Sequence, residues 1–78
     1  MHISDIYNNF EYHPPLNEDT VKTYKAIRDE AKKLALYLNE ICPDSRELEQ
    51  AFIHLEQTVF WANASIARHG LFVPDYRK

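Results

Sequence analysis

The residues of this chain best suited to chemistry are its cations and its aromatics. Lys22, Lys25, Lys32 and Lys33 recur with Asp29 among them, and Arg28 stands in the same stretch. At about 100° per residue the four lysines fall roughly opposite the apolar positions, the usual pattern of a solvated face. Arg28 projects from the flank between the apolar and basic faces. There its stem can pack while its guanidinium reaches a phosphate or a carboxylate. Further along, Trp61 and Arg68 lie seven residues apart and share a helical face with Gln57 and Ala64. Aromatic and guanidinium planes suit nucleobases, and Arg donors suit phosphate. An interface Trp and an Arg set against the negative end of a helix dipole fit the same spacing. Tyr12 precedes Pro14-Pro15 on a stiffened stretch near the cations, and a rigid aromatic beside basic groups is suited to lie over a base.

The other reactive groups form no catalytic pattern. Histidines stand at 2, 13, 54 and 69, and none pairs with another ligand at helical spacing, so no metal site is expected. Glu56 lies two residues from His54, on a different helix face. There is no Gly-rich phosphate loop, no Ser/His/Asp arrangement and no paired acidic motif for Mg²⁺. The expectation is a binding protein, not an enzyme, with no cofactor.

Helices must position these groups. Gly70 is the one glycine, and the prolines are Pro14, Pro15, Pro43 and Pro74. Between Pro15 and Pro43 lie 27 residues, and between Pro43 and Gly70 another 26, with no breaker in either stretch. Since Pro stops helices and Gly favours their ends, this punctuation predicts two long helices. The first spans about 18–41, capped by Asn17 or Asp19. Its apolar positions Val21, Tyr24, Ile27, Ala31, Leu34, Leu38 and Ile41 are expected to form one face. The second spans about 44–69, where Asp44 followed by Glu47 resembles a capping box. Leu48, Phe52, Leu55, Val59, Ala62 and Ile66 make a coiled-coil type of seam. The short link through Cys42-Pro43-Asp44 folds the pair into an antiparallel hairpin. Residues 1–16 are expected to form a short N-terminal arm or helix: the run Ile3–Phe10 is suited to a short helix capped by Ser4, and an extended run into the prolines follows. A tail over 70–78, partly apolar, docks in part. The expectation is all-α, with residues 1–78 as one domain.

A chain of 78 residues makes a small core. A domain of this size buries only about 60% of its unfolded surface and usually needs a disulfide, a metal or association. Cys42 is the lone cysteine, which leaves association and points to a reducing compartment. Ile53, Phe60 and Ala67 form a second apolar stripe on the second helix, about 120° from the first. The arm and tail are short, so another subunit is the expected cover. A net charge of −3 and a pI near 5.7 argue against a duplex nucleic-acid partner. The start Met1-His2-Ile3-Ser4-Asp5 has no signal-peptide character, and no apolar run approaches the roughly 20 residues that cross a bilayer. A cytoplasmic protein with no membrane partner is expected.

Four blocks carry a resemblance. They are Phe10-Glu11-Tyr12-His13-Pro14-Pro15, Tyr24-Lys25-Ala26-Ile27-Arg28-Asp29-Glu30-Ala31-Lys32, Cys42-Pro43-Asp44-Ser45-Arg46-Glu47, and Phe60-Trp61-Ala62-Asn63-Ala64-Ser65-Ile66-Ala67-Arg68. Together, over about residues 6–69, the chain resembles the phage anti-CBASS cyclic-oligonucleotide sponges, which sequester the nucleotide messengers of bacterial defence. The resemblance implies a helical hairpin assembling into a homo-oligomer, commonly a hexamer, in the host bacterial cytoplasm. Members bind cyclic dinucleotides in pockets between subunits, some bind cyclic trinucleotides in separate pockets nearer the symmetry axis, and they do so without cleavage. By this resemblance Tyr12 is the arm tyrosine that stacks on a base. The helix cation falls at or near Arg28, with Lys25 as the alternative because the spacing from the arm can shift. Arg68 ends the Trp-Ala-Asn-Ala block and would contact phosphates in the trinucleotide pocket; the tail gets no role.

Two rivals stand beside a sponge. One is a helical-hairpin structural or protein-interaction module with no nucleotide ligand. The other is a small helical nucleotide hydrolase, which would need an acidic metal cluster that the sequence lacks.

Overall fold

The computed structural model describes residues 2–15 and 17–72. They form three helices: α1 (Ile3–Phe10), α2 (Glu18–Ile41) and α3 (Arg46–His69). No strand occurs among the described residues. The all-helical class and the hairpin of long helices expected from the Pro and Gly punctuation are what the structure shows.

Each helix end has a local cause. Asn17 caps α2, its side-chain oxygen accepting from the Thr20 amide at 3.0 Å and the Thr20 hydroxyl at 3.2 Å. Glu18 and Asp19 then sit at the positive end of the helix dipole. The capping box expected at Asp44 does not form. Ser45 is the cap instead, its hydroxyl accepting from the Leu48 amide at 3.1 Å and donating to the Pro43 carbonyl at 3.0 Å. An ionised Asp44 carboxylate only accepts, so it cannot hold both ends of that bridge. In α1 the expected Ser4 cap is replaced by His2, whose Nδ1 accepts from the Ser4 amide at 3.2 Å. At the other end of α3, Gly70 turns the chain with φ 80° and ψ 174°, backbone that side chains disfavour, and its N–H donates to the Ile66 carbonyl at 2.7 Å.

Helices α2 and α3 pack antiparallel. Asn39 shares a groove with Phe52 near the link, and Thr23 shares one with Ala62 farther along. On α3 the seam matches the expectation, because Leu48 is buried and Phe52, Leu55, Val59, Ala62 and Ile66 are half-buried. On α2 the expected face is wrong at three places: Val21, Leu34 and Ile41 are 52%, 46% and 57% exposed. The residues that turn inward are Thr20, Tyr24, Ile27, Ala31, Ala35, Leu38 and, at the C-cap, Cys42, with Thr23 half-buried at the edge of this face. Geometry explains the error. The expected series averages about 3.3 residues per step and walks roughly 160° around a helix of 3.6 residues per turn, whereas the observed series averages about 3.7 and stays on one face.

This core is thin. Among the described residues only Leu48 and Thr20 are buried, at 6% and 5% exposure. The chain exposes 6893 Å², against about 4,900 Å² for a compact monomer of its mass. Its radius of gyration is 16.0 Å, against about 11.5 Å for a compact domain of this length. The expected docking of the tail lies, from residue 73 onward, outside the described residues; Leu71 is half-buried and Phe72 exposed.

Candidate functional site

Two open grooves flank the α2–α3 seam. The first, about 500 Å³, has a half-buried apolar floor of Ala31, Ala35, Phe52, Leu55 and Val59. Its rim carries exposed Leu36 and Phe60 together with Arg28, Lys32, Asn39 and Glu56. The second, about 520 Å³, lies on the other side, with Thr23, Ile27, Leu34 and Ala62 among its lining residues. Both are apolar in the middle with charge only at the edges. Exposed apolar surfaces with a polar rim are the kind that a protein partner or a ligand covers.

Arg28 stands on the rim of the first groove, exposed, and it makes no ion pair or side-chain hydrogen bond among the described residues. Lys25, one turn earlier, is engaged: its ammonium donates to the Asp29 carboxylate at 2.7 Å. That hydrogen bond, helped by the charges of Lys25, Arg28 and Lys32, holds the Asp29 carboxyl below the usual carboxylate range. The pair's side chains are 71% and 52% exposed, so solvent screens it, it adds little to stability and Lys25 can leave it easily. Lys33 pairs with Glu30 at 3.3 Å, another exposed bridge.

The arm and the far end of α3 meet through Asn8. Its amide Nδ2 donates to the Arg68 backbone carbonyl at 3.3 Å. Its own backbone carbonyl stands 2.6 Å from the His13 Nε2, which donates to it. Tyr12, beside His13, leaves its ring 85% exposed, while Arg68 is half-buried in the last turn of α3. Tyr12, Lys25, Arg28 and Arg68 are therefore not gathered into one pocket of the lone chain, and none hydrogen-bonds to another. The structure does bring the arm and Arg68 to the same end of the hairpin.

Sequence reasoning missed Asn8 and His13. Both bond to backbone carbonyls, which leave no spacing pattern to read. It also gave no weight to Asn63, whose side-chain Oδ1 is buried with no hydrogen-bond partner among the described residues. A buried acceptor left unpaired costs about 1–3 kcal/mol. Among the described residues no group of three or more His, Cys, Asp or Glu side chains is placed to hold a metal ion, and no helix is long and apolar enough to cross a membrane.

A family model described as the Acb2/Tad1 hairpin domain matches residues 1–67. The matched span holds Tyr12, Lys25 and Arg28 and stops one residue short of Arg68. No curated protein and no solved structure matches the chain.

Proposed function

This chain belongs to the Acb2/Tad1 hairpin family, the anti-CBASS sponges, and we propose that it binds cyclic di- or trinucleotide messengers without cleaving them. In this reading it acts in the host bacterial cytoplasm, lowers free messenger and keeps the defence effector silent. The observation that carries the reading is the family match across 1–67, which includes both the arm and the cationic helix.

The binding unit is a homo-oligomer, in the family manner a hexamer, because the thin core and the two apolar grooves leave much surface to cover. Pockets then form between subunits, where an interface with two-fold symmetry repeats each side chain and matches the near two-fold symmetry of a cyclic dinucleotide. Tyr12 stacks on a base. Arg28 supplies the phosphate contact, favoured over Lys25 because it has no carboxylate partner among the described residues. Arg68 serves a second, trinucleotide pocket nearer the symmetry axis.

Incubating the purified protein with a panel of cyclic di- and trinucleotides, then releasing and chromatographing what is retained, tests the reading. Intact ligand is expected. A linear product would make the protein an enzyme. No retention would leave a structural or protein-interaction hairpin, which the exposed apolar grooves also suit.

A further inference from the structure

The geometry points to Asn8 and His13 as positioning residues that hold the Tyr12 arm in register with the end of α3. This inference rests on the proposed stacking of Tyr12 on a base. The reason begins at helix ends. The last four carbonyls of an α-helix have no partner within it. Arg68 lies in the last turn of α3, and its carbonyl receives the Asn8 amide at 3.3 Å. Asn8 in turn lies in the last turn of α1, and its carbonyl receives the His13 ring at 2.6 Å. The arm is poor in backbone donors at this point, because Pro14 and Pro15 carry no N–H. The His13 ring provides the missing donor.

The two bonds join in series. His13 ties the extended arm to α1, and Asn8 ties α1 to α3. Tyr12 sits between Glu11 and His13, so its backbone is fixed on one side by α1 and on the other by the latch. Its ring takes no part and remains 85% exposed, free to meet a ligand. Stacking on a base needs a ring held at a set height and angle, and a loose arm would lose that preorganisation on every binding event. Asn8 and His13 touch no ligand in this arrangement. They act through Tyr12.

A double-mutant cycle on the full-length chain tests this, read by calorimetry with 3′,3′-cyclic GMP–AMP as the probe. His13→Phe removes the donor, and Asn8→Asp removes the amide that reaches Arg68 while keeping its own carbonyl. Each is expected to weaken binding roughly three- to tenfold, the range of one lost hydrogen bond. His13→Gln restores a donor at a similar reach and should recover most of the affinity. In a Tyr12→Ala background neither latch variant should weaken binding further, since groups that act only through the Tyr12 ring lose their effect with it, whereas independent sites add. Oligomer size by light scattering and helical content by circular dichroism should match wild type, and Asn8→Asp stands in if His13→Phe fails either check. Unchanged affinity in the latch variants, or losses that simply add to that of Tyr12→Ala, overturns the positioning role while wild-type binding leaves the sponge reading intact. A wild type that binds no nucleotide of the panel overturns the sponge reading first and the positioning role with it.

Discussion

Side chains proposed for the ligand sit on three different elements, so each should fail in its own way. Tyr12 offers a ring that the rest of the chain does not use. Replacing it with Ala should remove base stacking, which typically contributes about 1–3 kcal/mol per base, and two symmetric copies per pocket would raise the loss. Unchanged calorimetric affinity with an intact oligomer would take Tyr12 out of the site. The arginines separate two pockets. Arg28 projects from the N-terminal half of α2 and Arg68 from the last turn of α3, so around an oligomer they can face different neighbours. A charge-assisted phosphate contact contributes about 1.5–3 kcal/mol, so Arg28→Ala should cost the dinucleotide more than about tenfold and spare the trinucleotide. Arg68→Ala should do the reverse. Lys25→Ala should cost less than Arg28→Ala, because Lys25 shares its charge with Asp29. If Arg68→Ala weakens both ligands in parallel titrations while the oligomer stays whole, a single pocket holds both arginines.

At the scale of elements the caps are the most direct check on why the helices start where they do. Ser45 bridges the Pro43 carbonyl and the Leu48 amide, and Leu48 is the most buried apolar residue among those described. Ser45→Ala should therefore destabilise the hairpin by about 1 kcal/mol in thermal or denaturant unfolding, while Asp44→Ala should change it little. An equal loss in both variants would restore the Asp44 cap that the sequence suggests. The hairpin itself was readable because Pro43 and Gly70 punctuate it and the seam of α3 keeps a strict alternation of threes and fours. The inward face of α2 was not, since it includes Thr20, which hydropathy does not mark, Cys42, which lies just past the helix end, and small Ala35 in place of Leu34. Small residues there let the helices approach, and the larger Leu34, Ile41 and Val21 are left outside. The candidate site was legible only as residue types and a family resemblance. The latch through Asn8 and His13 runs to backbone carbonyls and depends on where α1 lies, which no spacing encodes.

The whole molecule poses a question of surface. It exposes roughly 2,000 Å² more than a compact chain of its mass, and the excess is not evenly polar. Leu36 and Phe60 line the same groove from the two helices, at 57% and 64% exposure, and Ile53 lies two turns earlier on α3 at 45%. A patch of this kind on a lone chain would invite nonspecific aggregation unless a specific partner covers it. A second copy is the simplest cover, since a stable interface removes about 800 Å² from each partner and the excess is enough for more than one such contact. Phe60→Asp places a charge on the rim of that groove, in the apolar surface that a partner would cover. Burying an unpaired carboxylate costs several kcal/mol, more than a contact of this size can spare, so the variant should dissociate. Light scattering is expected to give an oligomer for wild type at micromolar concentration and a smaller species for Phe60→Asp. The melting temperature of wild type should also rise with protein concentration, because association stabilises only the folded chain. In the variant that dependence should flatten. A wild type that scatters as a monomer, with a melting temperature indifferent to concentration, would mean that the exposed grooves have some other occupant and that pockets between subunits do not exist.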